Sequence, residues 1–299
     1  MAVRRRYYLG RVHKVGQLDD DLLIQAMEQP RVVHSREYAW TFTDAEVHSD
    51  GGRVVFAFAQ LCKYNPSGVV RVIDEEQRVQ GERLEPNLLV AASPFVYIPE
   101  FSGIAFQHVW NQIERQTFTK RFADVVRQSH DNFFLDCEIE PISDLRTFAA
   151  KLASIDAFLE IHAKVHPPNP LFGPAWANLK DYLARRAATE LSLTEKGDEA
   201  TPLRTNVAIH VQAILDQDVE GPYAPDNPVD VTDAAILMAA DGYGSGKVVG
   251  REHDSTITVR TSETQKSFLF DAEPGGTELF EEACKHFSRV SSERRMTHE

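Results

Sequence analysis

The chain has 299 residues, 42% of them hydrophobic and 26% charged, with a formal net charge of -13. That apolar share suits a soluble globular protein, and the length is comfortable for two cores. No apolar run is long enough to span a bilayer, and any duplex-binding surface, which must be basic to release counterions, has to work against the chain's own acidic field.

The start, "MAVRRRYYLG", lacks the apolar core of a signal peptide. Cys62, Cys137 and Cys284 are odd in number and widely spaced, which suits reduced thiols in the cytosol and forms no metal-type spacing. From there "RYYLGRVHKV" alternates apolar and basic residues and predicts an opening strand. "DDDLLIQAMEQ" predicts a short helix, its first-turn acids favoured by the helix dipole. "EYAWTFTDAEVH", "GRVVFAFAQLCKY" and "GVVRVIDEE" predict a meander, with turn chemistry at Ser49-Asp50-Gly51-Gly52 and Asn65-Pro66-Ser67-Gly68. "NLLVAASPFVYIPE" adds a strand broken by Pro94. The spacing of Phe106, Val109, Ile113, Phe118, Phe122 and Val126 predicts one long helix to Gln128, bent near Thr117.

A strand–helix–strand unit follows in "NFFLDCEIEPI", "SDLRTFAAKLASI" and "DAFLEIHAKVH", whose strands are expected to lie parallel in one sheet. "HPPNPLFGP" then marks a boundary, giving a sheet domain over 1–168 and a mainly helical one over 169–299. In the second part, "PAWANLKDYLARRAATELSLTE" and "NVAIHVQAILDQ" read as helices, and "VEGPYAPDNPVD" as exposed extended chain. "STITVRT" and "KSFLFDA" read as a hairpin, "GTELFEEACKHFSRV" as an amphipathic helix, and "SSERRMTHE" as a fraying tail. The expected class is α+β: a mixed or antiparallel sheet with helices on one face, then a more helical region ending in a β-hairpin and a helix.

"GYGSGK", at 242–247, invites comparison with a phosphate loop. Such a loop needs Gly-x4-Gly-Lys-Ser/Thr between a strand and a helix. Here Asp241 stands where the first glycine belongs, Val248 stands where the hydroxyl belongs, and "TDAAILMAADG" before the loop reads as helix while the run after it is β-branched. With no helix N-terminus facing an anion, the stretch reads as a structural corner.

The chemistry-bearing residues lie on the two strands of the predicted unit. Alternation sets Asp136, Glu138 and Glu140 on one side of the first, and Glu160, His162 and Lys164 on one side of the second. Side by side they form an acidic patch suited to Mg2+ or Mn2+, with Asp136, Glu138 and His162 as ligands. Asp136, Glu138, Glu160, His162 and Lys164 then make the catalytic set of a metal-dependent nuclease or phosphodiesterase, Lys164 steadying phosphate charge. The acid-x-lysine step of restriction-type nucleases is missing, since His162 stands two before Lys164. The alternative is a solvated sheet face held by pairs such as Glu138 with Lys164. Arg115, Lys120, Arg121 and Arg127 on the long helix are the candidate nucleic-acid contacts. No organic cofactor is indicated.

"RYYLG", "FAFAQLCKY", "SPFVYIPEFSGIAFQHVWNQI", "HPPNP" and "DGYGSGKVVG" together resemble a bacterial domain-of-unknown-function family of this length. That resemblance implies a phage-defence or mobile-locus setting and carries over no site residues. The resulting expectation is a cytosolic accessory or sensor protein that binds a protein or nucleic-acid partner, with homo-oligomerisation open. The metal-dependent nuclease is its rival.

Overall fold

A computed structural model describes residues 4–74, 76, 78–131, 134–166, 177–216, 225 and 229–294. In the first half run β1 (Arg5–Gly16), α1 (Asp20–Glu28), β2 (Val33–Ser35), β3 (Tyr38–Asp50), β4 (Arg53–Asn65), β5 (Val69–Asp74), β6 (Val79–Leu84), β7 (Leu88–Ile98), β8 (Gly103–Gln107) and α2 (Arg115–Ser129). Then come β9 (Leu135–Pro141), α3 (Leu145–Ala153), β10 (Ala157–Val165), α4 (Ala177–Arg186), β11 (Leu191–Lys196) and α5 (Val207–Asp216). The chain closes with α6 (Val231–Ala240), β12 (Gly244–Glu252), β13 (Ser255–Arg260), β14 (Ser267–Phe270) and α7 (Gly276–Arg294).

These elements make an α+β protein of antiparallel sheets. The first sheet is curled and has the order β14-β1-β8-β7-β4-β3-β2. One edge of β1 is shared: β14 takes Arg5 to Tyr8, and β9 takes Gly10 to Gly16. The second sheet has the order β11-β10-β12-β13, and β5 with β6 forms a separate two-stranded ribbon.

Period-two patterning gives the first sheet two apolar faces. Ala57, Ala59, Leu61, Phe95 and Phe106 face α1 and α2, where the Phe106 and Phe118 rings stack at 4.1 Å. Their strand neighbours Phe56, Phe58, Val96 and Ile98 face α7, which contributes Leu279, Ala283, Phe287 and Val290. Phe287 lies so close to β8 that a Cβ on Gly103 would sit 2.5 Å from its ring. The second sheet packs its apolar face on α6, a helix buried on every side and accordingly without a polar stripe.

Several expected details differ. β9 and β10 are not neighbours: β9 pairs with β1, and β10 lies between β11 and β12. Alternation says which residues share a side but not which partner that side meets. Leu135, Cys137 and Ile139 fit the core under α2, whereas Ile161, Ala163 and Val165 fit the core on α6. The helix between these strands, α3, packs in the second core and is no parallel crossover. The predicted long helix starts only at Arg115, because Phe106 belongs to β8 and Val109 to Ile113 is a turn closed by a 3.0 Å backbone bond. β7 runs through Pro94, which lies just outside the ladder with β8.

"LSLTE", read as helix, is strand β11. The hairpin is β12–β13, since β14 leaves to pair with β1. α7 extends to Arg294, four residues into the segment expected to fray. Ladders in both sheets join strands from either side of position 168. The proline run after His166, most of the segment 219–230 and residues 295–299 lie outside the described residues.

Candidate functional site

"GYGSGK" turns out to form the joint between the sheets. After α6 the backbone swings through Gly242 at φ +85° and Gly244 at φ +150°, the region that favours glycine. A Cβ on Gly242 would lie 3.2 Å from Arg11 Cγ, and one on Gly244 would lie 2.0 Å from the Lys164 carbonyl oxygen. Between them the Tyr243 carbonyl accepts the His166 backbone N–H at 3.0 Å. Arg11 on β1, buried, donates Nε to the Asp241 carbonyl at 2.9 Å and Nη1 to the Phe101 carbonyl at 2.5 Å. Its guanidinium lies 4.7 Å from the Tyr243 ring centre. Lys247, the would-be phosphate lysine, contacts Glu160 at 2.5 Å.

Beside this joint a titratable cluster gathers from both sheets. His13 on β1 stands opposite Glu138 in the ladder with β9, and Glu140 follows two residues later, on the same side. Lys164 and His166 arrive from the end of β10, and Glu190 from just before β11. Lys164 Nζ lies 3.1 Å from a Glu190 oxygen. The rings of His13 and His166 stack at 3.9 Å. His166 Nε2 lies 3.6 Å from a Glu138 oxygen, beyond hydrogen-bond reach, and is buried without a hydrogen-bond partner. Glu138, Glu140 and His166 each offer one atom within 4.8 Å of the other two.

Crowding shifts the protonation of these groups. Burial first, then the neighbouring His166 and Lys164, drives His13 down to about 4. Burial, reinforced by Glu138 and opposed by Lys164, pushes Glu140 up to about 7. His166 is lowered, chiefly by burial against the pull of Glu138. Lys164 is raised, first by its bond to Glu190.

The five residues expected to form a nuclease site do not surround one point. Asp136 pairs with Arg127 at 3.1 Å. Glu160 lies between Lys247 and Lys196, at 2.5 and 3.5 Å, and His162 Nδ1 is 2.8 Å from Thr194 Oγ1. Only Glu138 and Lys164 enter the joint, and there Lys164 bonds Glu190 rather than Glu138. The ligand set Asp136, Glu138 and His162 is split in the same way. Glu140 was visible in the β9 alternation. His166, His13 and Glu190 carried no such signal, since they converge only through tertiary packing.

Three of the four expected nucleic-acid contacts are engaged. Arg115 donates to the Ser262 carbonyl at 2.6 Å, Arg121 pairs with Asp124 at 3.0 Å, and Arg127 pairs with Asp136. Lys120 is exposed beside a groove of about 560 Å³ between α2 and β9, where Asp124, Asp136, Glu138 and Glu140 outnumber Lys120 and Arg127. Such a groove repels a polyanion.

No family model matches the chain, and no curated protein matches it. Among the described residues, no helix is long and apolar enough to cross a membrane.

Proposed function

We propose that the protein is an accessory or sensor protein that works by binding a protein partner, with the β5–β6 ribbon as a principal contact. The observation that carries this reading is the exposure of Val69, Val72, Ile73, Val79 and Leu84 on that ribbon, Ile73 at 73% and Leu84 at 66%. Among the described residues, β5 and β6 pair only with each other. An isolated two-stranded ribbon is marginal in water, and apolar side chains on its solvated faces gain stability only from a partner. Unpaired strand edges also accept an added strand through main-chain bonds. Arg71 faces Glu82 and Arg83 pairs with Glu85, so the ribbon has no cationic face for nucleic acid. A binding role also suits the phage-defence setting that the sequence resemblance implies.

The test is comparative capture with tagged full-length chain and its Ile73→Lys/Leu84→Lys variant. Because neither side chain is buried, the variant should melt within about 2 °C of the parent. A protein retained by the parent and absent from the variant is the expected result. Identical recovered sets would remove the ribbon as a contact.

A further inference from the structure

An unpartnered imidazole nitrogen and a carboxylate face each other in the joint. His166 Nε2 is buried there and has no hydrogen-bond partner. In the tautomer with the proton on Nδ1, Nε2 presents a lone pair. The residue is 5% exposed, so bulk solvent does not reach this nitrogen. At 3.6 Å it meets a Glu138 carboxylate oxygen, another acceptor.

A buried, unpartnered imidazole nitrogen beside two carboxylates is placed as a metal-ligating histidine is. The distance fits too. Zinc-class ions sit about 2.0–2.2 Å from nitrogen and oxygen ligands, which places ligand atoms of one ion roughly 3–4 Å apart. His166 and Glu138 already stand at that separation. The third atom, from Glu140, lies within 4.8 Å of both, so small side-chain rotations bring it in.

The geometry points to a site for one divalent transition-metal ion of the zinc class, held by Nε2 of His166 and a carboxylate oxygen each from Glu138 and Glu140. One imidazole favours that class over Mg2+ or Ca2+, which prefer all-oxygen shells. Three protein ligands leave a fourth position open. The ion would link β9 of the first sheet to the segment after β10 of the second, and so fasten the joint. This goes beyond the partner-binding role and does not depend on the ribbon.

Full-length protein stripped with chelator is titrated calorimetrically with Zn2+, and with Co2+ followed by its visible absorption. One equivalent with a Co2+ spectrum of a nitrogen- and oxygen-ligated ion is expected. The chain holds 11 histidines, so weak surface binding forms a background, and the assignment turns on variants. Glu138→Gln is the main one, because Glu138 is half-exposed and its replacement leaves folding intact. Glu160→Gln, on the other sheet, is the control. Glu138→Gln should lose more than the about 10–100-fold in affinity that even an outer-shell change costs, and Glu160→Gln should lose nothing. Absence of one-equivalent Zn2+ binding by the parent would overturn the site. So would equal binding by the two variants, or displacement of Zn2+ by an equal concentration of Mg2+.

Discussion

Gly244→Ala should lower stability by about 3–5 kcal/mol, combining a φ that L side chains avoid with an overlap the backbone cannot relieve. The new methyl would lie 2.0 Å from the Lys164 carbonyl oxygen and 2.8 Å from Val165 Cα, at a φ of +150°. Both atoms are main chain, so no rotamer change makes room. Gly244 pairs with Val165 at the end of the β10–β12 ladder, and any shift there moves Lys164 and His166. A melting temperature lowered by about 10 °C is expected, read by calorimetry. Gly275→Ala is the control: no atom lies within 4 Å of the methyl it would gain and its φ is ordinary, so its effect should stay within about 0.5 kcal/mol. Equal melting of the two variants would show that the corner deforms freely.

How far the sequence was legible follows from the range of each signal. Turn residues and alternation act over a few positions, and they located most strands of the first sheet as well as the glycine corner. The cap on α3 is a local signal of the same kind, the Asp144 side chain accepting from the Thr147 N–H. Strand pairing is a long-range property. The segment 132–165 looked like a parallel unit because its local pattern is satisfied by any apolar layer, and α2 and α6 supplied two different ones. The separation of β9 from β10 dissolved the expected nuclease constellation and left Glu138 and Lys164 to meet new neighbours. His166 closes "DAFLEIHAKVH" and opens the proline run, and nothing local gave it a partner. Its unpartnered nitrogen gained meaning from Glu138 and Glu140, neither of which is near it in the chain.

The same range argument explains how two sheets with separate cores hold one geometry. Their shared contacts include a set of buried polar bonds. The Ser143 N–H bonds the Ala240 carbonyl at 2.8 Å, the Asp144 N–H bonds the Thr264 carbonyl at 2.6 Å, and Ser143 Oγ donates to the Thr261 carbonyl at 2.9 Å. Buried bonds of this kind fix orientation more than they add net stability, because each replaces a bond to water. A site built across them inherits that precision, and it also depends on each of them.

Arg11→Met should therefore be the most damaging side-chain change at the joint, at about 3–5 kcal/mol, because it strips a buried charged donor from its acceptors. Arg11 is 2% exposed and reaches the Asp241 carbonyl from one nitrogen and the Phe101 carbonyl from another. Asp241 caps the C-terminal end of α6, where the helix dipole favours a cation. Methionine fills much of the volume but donates nothing, so both carbonyls lose a bond in a place water reaches poorly. Arg11→Lys keeps the charge, yet a single ammonium cannot span two carbonyls as the planar fork does, and an intermediate loss is expected. Denaturant titration ranks the three proteins, and amide exchange then locates the change: loss of protection at Ser143 and His166, whose N–H groups bond Ala240 and Tyr243, should exceed loss at the β3–β4 ladder. A methionine variant as stable as the parent would mean that the joint is held by its apolar contacts and that Arg11 merely fills space between the sheets.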